Sequence, residues 1–75
     1  MSIKYSDHAR KQIKERKIPV NIVSQTVKNP ERKLASSRNR KLRQRQFGSK
    51  ILEVVTVTEG SRITVITAYY LKEDK

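Results

Sequence analysis

The stretch Ile51–Tyr70 constrains the fold of this chain more than any other. It reads Ile-Leu-Glu-Val-Val-Thr-Val-Thr, then Glu-Gly-Ser-Arg, then Ile-Thr-Val-Ile-Thr-Ala-Tyr-Tyr. β-Branched and aromatic residues fill both halves, and a glycine-containing turn separates them, which predicts a β-hairpin. Both halves are apolar on both faces, as in strands from the middle of a sheet. No other stretch is as hydrophobic, so the core has to form on this hairpin. Its register is open. A two-residue Glu59-Gly60 loop puts Leu52, Val54, Ile63, Val65, Thr67 and Tyr69 on one face. A three-residue loop ending in Gly60 groups Ile51, Val55 and Val57 with the same partners. Pattern alone does not say which of Tyr69 and Tyr70 faces outward.

Seventy-five residues allow one domain, 1–75, and a small core. With no cysteine and one histidine, neither a disulfide nor a thiolate or multi-histidine metal site is available. No metal and no cofactor are expected. The longest apolar run is too short to cross a membrane, and the first residues lack the apolar segment of a secretory signal, so a cytoplasmic protein with no membrane partner is expected. Charge then becomes informative. Lys and Arg number 18 against 7 Asp and Glu, a net of +11. Eight of the 18 lie in 31–50, with Glu31 the one acid there. Solubility does not require such clustering, whereas a nucleic-acid partner does. An anionic membrane fits less well, because no large apolar residues accompany the basic run in helical register.

Ser6 is placed to cap a first helix of about Asp7–Lys17, with Asp7 favouring its positive end. Tyr5, Ala9 and Ile13 give it a narrow apolar stripe. Arg16 continues that stripe and is predicted to lie half-buried, its head reaching toward the sheet. Pro19 starts a second helix of about Val20–Lys28 with Ile22, Val23 and Val27 inward. Asn29-Pro30 ends it. Arg32–Ser36 reads as a short edge strand, Arg38–Phe47 as a basic strand, Gly48-Ser49 as a turn, and Lys72–Lys75 as a loose end. The order predicts an α+β fold, two N-terminal helices on one face of a mainly antiparallel sheet of three to four strands.

Alternation in the basic strand sets Asn39, Lys41, Arg43, Arg45 and Phe47 against Arg38, Arg40, Leu42, Gln44 and Gln46. Arg38, Arg40, Lys41, Arg43 and Arg45 are thus candidates for contacting successive phosphates, and Phe47, Tyr69 and Tyr70 for stacking on bases or for ordinary core packing. RNA cleavage by its own 2′-hydroxyl needs a base, a cation for the phosphorane and an acid for the leaving oxygen, but no metal. His8 is the one side chain of a type suited to base or acid work near neutrality, unless it is simply a surface histidine. Arg16, Arg43 and Arg45 suit the phosphate, and Tyr69 or Tyr70 the acid or an orienting role. Asp7, Glu15, Glu31, Glu53 and Glu59 form no carboxylate pair at metal-ligand spacing.

His8-Ala9, Gln12-Ile13, Arg16-Lys17-Ile18, Ile22-Val23 and Asn29-Pro30, with Val65-Ile66-Thr67-Ala68-Tyr69 at the end, resemble the domain of unknown function 4258. That family opens H-A-x-x-R-hydrophobic-x-x-R-G-I, ends its second helix in N-P and closes on V-I-T-x-Y. The family in turn resembles RelE/ParE-type toxins, a group that includes ribosome-dependent and free endoribonucleases. The resemblance implies a RelE-like fold and points to His8, Arg16, Thr67 and Tyr69. Gln12 replaces a common arginine, and Lys17 a common glycine at the helix end. The leading expectation is therefore a toxin-like, metal-independent endoribonuclease or a degenerate relative. It would act on RNA, ribosome-bound mRNA included, and be inhibited by an acidic antitoxin protein. The alternatives are a non-catalytic RNA- or DNA-binding module and a protein-interaction module for an acidic partner.

Overall fold

The structure is a computed structural model, and it describes residues 2–36 and 38–71. Lys72–Lys75, read above as a loose end, lie outside the described residues. The elements are β1 (Ser2–Tyr5), α1 (Asp7–Glu15), α2 (Val20–Lys28), β2 (Arg32–Ala35), β3 (Arg40–Phe47), β4 (Lys50–Glu59) and β5 (Arg62–Leu71). They form an α+β fold whose five-stranded sheet runs β1-β5-β4-β3-β2. The sequence reading missed β1. Its four residues pair in parallel with Arg62–Val65 of β5 and make the sheet mixed. Ile3 and Tyr5 pack against the core, so Tyr5 joins the apolar stripe of α1 from the preceding strand and not from the helix.

Local chemistry explains most boundaries. The Ser6 hydroxyl accepts from the Ala9 amide at 3.0 Å, capping α1. The helix stops at Glu15, earlier than Lys17, because the chain turns left-handed at Lys17, with φ 56°. The Ile18 amide then donates to Ile13 O at 3.0 Å, and the Lys17 amide to Lys14 O at 3.1 Å. This is the Schellman closure that glycine normally serves, and it delivers Ile18 into the core. The turns after β3 and β4 are two-residue loops, since Phe47 pairs with Lys50 and Glu59 with Arg62. Gly48 and Gly60 hold their first positions at φ 64° and 60°, as tight hairpins demand. The basic strand begins at Arg40 and not at Arg38, because Arg38 and Asn39 both take positive φ in the preceding turn.

Both helices lie on one face of the sheet. Ala9, Ile13, Ile18, Val23 and Val27 pack there on Leu52, Val54, Ile63, Val65 and Ala68. The register explains why neither face assignment from the sequence is complete. Thr56 pairs with Val65 but Val55 with Thr67, so Ile66 is the extra residue of a β-bulge. Before the bulge, Ile63 and Val65 face the helices. After it, Ala68 and Tyr70 do, while Thr67 and Tyr69 turn to the opposite face. Among the described residues no element covers that opposite face. It carries Leu34 and Leu42 from β2 and β3, and Glu53, Val55 and Val57 from β4.

Candidate functional site

The parallel strand β1 covers β5 only as far as Val65, which leaves the rest of that edge open. The chain leaving β1 closes it. The Ser6 amide donates to Val65 O at 3.0 Å, the Ser6 hydroxyl to Ile66 O at 3.4 Å, and Arg16 Nη1 to Ala68 O at 2.8 Å. Arg16 thus reaches the sheet as its stripe predicts, but the residue is exposed and not half-buried, because its head meets only the rim of β5. Nη1 also donates to Gln12 Oε1 at 3.0 Å, and the Thr67 hydroxyl donates to the same oxygen. His8, Gln12 and Arg16 are spaced i, i+4 and i+8, so they fall on one row of α1. Arg16 leans back one turn onto Gln12, and eight residues set His8 about two turns before Arg16 and about 80° around the helix. His8 itself is exposed, and among the described residues no hydrogen bond ties it to this group.

Beside Arg16 lies a second cluster that the sequence reading did not assemble. Tyr69 donates its hydroxyl to Glu53 Oε2, and Gln44 Nε2 donates to Glu53 Oε1 at 2.6 Å. These three pair across β5, β4 and β3 in one row of the open face. Glu53 is only 6% exposed, an acid held inside a strongly basic protein by two neutral donors. Burial first, and then the hydrogen bond and charge of Glu53, push the Tyr69 hydroxyl up to about 12 against the opposing charge of Arg16. At neutral pH Tyr69 is therefore a fixed, protonated donor. The signal for Glu53 was present in the sequence as a lone charge inside Leu-Glu-Val-Val. Spacing between carboxylates does not reveal it, because its partners are the neutral Tyr69 and Gln44.

The structure divides the five basic candidates of 38–45. Arg38, Arg40 and Lys41 are exposed at the end of the sheet where β3 begins. Arg43 and Arg45 correct the expectation of one phosphate-tracking row, because their strand face is the one the helices cover. Arg43 is 8% exposed; its Nη1 donates to Val27 O at 2.9 Å and its Nε to Thr56 Oγ1 at 3.1 Å. Arg45 Nη1 donates to Asn29 O at 2.8 Å and its guanidinium lies 6.0 Å from the Phe47 ring centre. Both arginines thereby satisfy carbonyls at the C-terminal end of α2, where cations are favoured. Phe47 and Tyr70 pack on the core, so of the three aromatic candidates Tyr69 alone lies on the open face.

The open face thus offers cations at two places, Arg16 at the β5 edge beside Tyr69 and Arg40 at the end of β3 next to Arg38. Lys41, paired with Thr56, leaves the same end of the strand on the helix side. Four residues along a strand and two strands across separate Arg40 from Tyr69, roughly 16 Å. Leu42, Val55 and Val57 lie between them. Such a surface can hold an anionic chain at both ends with its flat apolar parts on the middle. Among the described residues no three His, Cys, Asp or Glu side chains gather as metal ligands, and no helix is long and apolar enough to cross a membrane. No curated protein and no solved structure matches the chain. The family model described as Domain of unknown function (DUF4258) matches residues 5–70, nearly the whole chain. The chain belongs to the DUF4258 family.

Proposed function

We propose that this protein is a RelE/ParE-like, toxin-type endoribonuclease that acts in the cytoplasm on RNA, ribosome-bound mRNA included, and is inhibited by an acidic antitoxin protein. One observation carries the reading: Arg16, anchored on the carbonyl of Ala68, places its charge close enough to be felt by the next residue, Tyr69, whose hydroxyl is held by the buried Glu53 on an uncovered face. In this reading a scissile phosphate sits at the free edge of the Arg16 guanidinium, which stabilises the phosphorane. His8, about two turns back on α1 and to one side, takes the proton of the attacking 2′-oxygen. The O2′–P bond forms, the P–O5′ bond breaks, and Tyr69 gives its proton to O5′. Glu53 acts through Tyr69 and is a positioning residue. Arg38 and Arg40 hold the flanking phosphates, with Lys41 adding charge from the other side of the same sheet end, and Thr67 fixes Gln12 between His8 and Arg16. The products are a 2′,3′-cyclic phosphate and a 5′-hydroxyl.

A non-catalytic RNA- or DNA-binding module is the second reading. It is favoured by the fact that Arg16 Nη1 and Gln12 Oε1 already serve the edge of β5. Purified protein incubated with bulk RNA in a chelator, and then with translating ribosomes, separates the two on a gel. Metal-independent cleavage in either supports the nuclease. RNA retention without cleavage in both supports the binding module.

A further inference from the structure

The two flanks of α1 differ. Gln12 and Arg16 face the β5 edge, whereas Arg10 and Lys14, on the other side of the Ala9–Ile13 stripe, border a groove of about 440 Å³. Its walls are Tyr5, Ile13, Ile18 and Val20. Tyr5 contributes from the strand before α1, half-buried against the core. Val20 is 57% exposed, a large apolar side chain left in water on the first turn of α2. That turn contains no acid, and Pro19 before it provides no side-chain cap, so this side of the groove is also positive.

We propose that this groove docks an acidic amphipathic helix of a partner protein. The inference deepens the partner half of the function above and rests on that reading only for the partner's role as inhibitor. Apolar side chains at i, i+4 spacing enter between Ile13, Ile18 and Val20, and carboxylates flanking them meet Arg10 and Lys14. Those two cations are themselves i, i+4 neighbours, about 5–6 Å apart at Cβ. A small ligand fits less well, since few polar groups here fix an orientation. A second copy of this chain also fits less well, because a body of net charge +11 brings cations to a cationic rim. The groove lies on the flank of α1 away from Arg16, so docking there leaves the open face accessible.

The test uses the full chain and a synthetic helical peptide with leucines at i, i+4 and i+7 flanked by glutamates. A scrambled peptide of identical composition controls for attraction to net charge alone. Fluorescence anisotropy measures affinity, and amide chemical shifts locate the contact. The expected result is preference for the patterned peptide, with shifts at Ile13, Lys14, Ile18 and Val20. Arg10→Glu with Lys14→Glu weakens it by roughly tenfold or more, as two partly exposed pairs become repulsive, and a lysine version of the peptide binds that variant instead. Val20→Glu weakens the patterned peptide too. All three positions border solvent, and circular dichroism verifies their folding. Equal binding of the scrambled peptide, shifts confined to Arg38–Lys41, or a concentration-dependent dimer that Val20→Glu abolishes each overturns the proposal. RNA retention by the same variants is expected to be unchanged, so failure of the groove and failure of the RNA reading register separately.

Discussion

Replacing Arg43 with alanine separates structural arginines from nucleic-acid ligands. The side chain is buried and joins three elements, donating to Val27 O at the end of α2 and to Thr56 on β4. Thr56 is itself fully buried and donates to Lys41 O at 3.1 Å. Two hydrogen bonds from a charged donor are worth about 1.5–3 kcal/mol each, and truncation also leaves the Val27 carbonyl without this partner. Charge desolvation offsets part of that sum, as burial already pulls the guanidinium below its ordinary range. The net cost is about 3–5 kcal/mol. A domain of this length has a total stability of roughly 4–11 kcal/mol, so Arg43→Ala removes much of it. Urea unfolding followed by circular dichroism measures the loss. Arg43→Met, which keeps the packed stem, is expected to cost less, about 2–3 kcal/mol, and the exposed control Arg40→Ala to stay within about 0.5 kcal/mol of the parent. An Arg43→Ala protein within about 1 kcal/mol of the parent that has lost RNA affinity would refute the structural assignment.

Lys17→Gly is expected to stabilise the protein by about 0.5–1 kcal/mol in the same assay, since a left-handed C′ position costs a side-chain-bearing residue about 1–2 kcal/mol, partly offset by the greater freedom of glycine when unfolded; a loss of stability contradicts the Schellman closure. Tyrosinate absorbance should show Tyr69 ionising at about 12, and Glu53→Gln should bring it down while leaving it above 10 because burial remains. A folded value above the unfolded one near 10 means that the stability Tyr69 contributes is fully present below pH 10 and is lost as pH rises toward 12, so Tyr69→Phe should flatten the alkaline limb of the unfolding profile. Affinity for single-stranded RNA should fall with salt at a log–log slope near −0.7 per phosphate. Replacing Arg38, Arg40 and Lys41 with alanine should make that slope shallower by about 2; an unchanged slope removes this corner from the interface.

The frame of this fold was legible where one local signal governs one feature. Ser6 capping α1, Pro19 opening α2, Asn29-Pro30 closing it and Gly48-Ser49 turning the chain all follow from short-range chemistry. Three features are set by tertiary context. Strand β1 has only four residues, and its Ile3/Tyr5 alternation makes sense only beside β5, a partner some 60 residues away. The bulge at Ile66 has no glycine to mark it, yet it decides that Tyr69 turns outward and Tyr70 inward. The direction of Arg43 and Arg45 depends on which strand face α2 covers, and alternation alone leaves that choice open. The reach of Arg16 to the sheet was legible from its place on the stripe of α1, but its exposure was not. Glu53 was not, because its partners Tyr69 and Gln44 come from strands whose register the sequence left open.

Single-turnover cleavage of one short RNA in chelator tests the central claim most directly, with the parent, Arg16→Ala, His8→Gln and Tyr69→Phe compared at matched RNA occupancy. The site described here predicts 2′,3′-cyclic phosphate ends from the parent. It predicts a rate loss of roughly 10²–10⁴ in His8→Gln and Tyr69→Phe with affinity retained, and a comparable loss in Arg16→Ala with weaker binding. Cleavage that leaves 3′-hydroxyl ends, that stops in chelator, or that proceeds at the parent rate in both Arg16→Ala and Tyr69→Phe would contradict it.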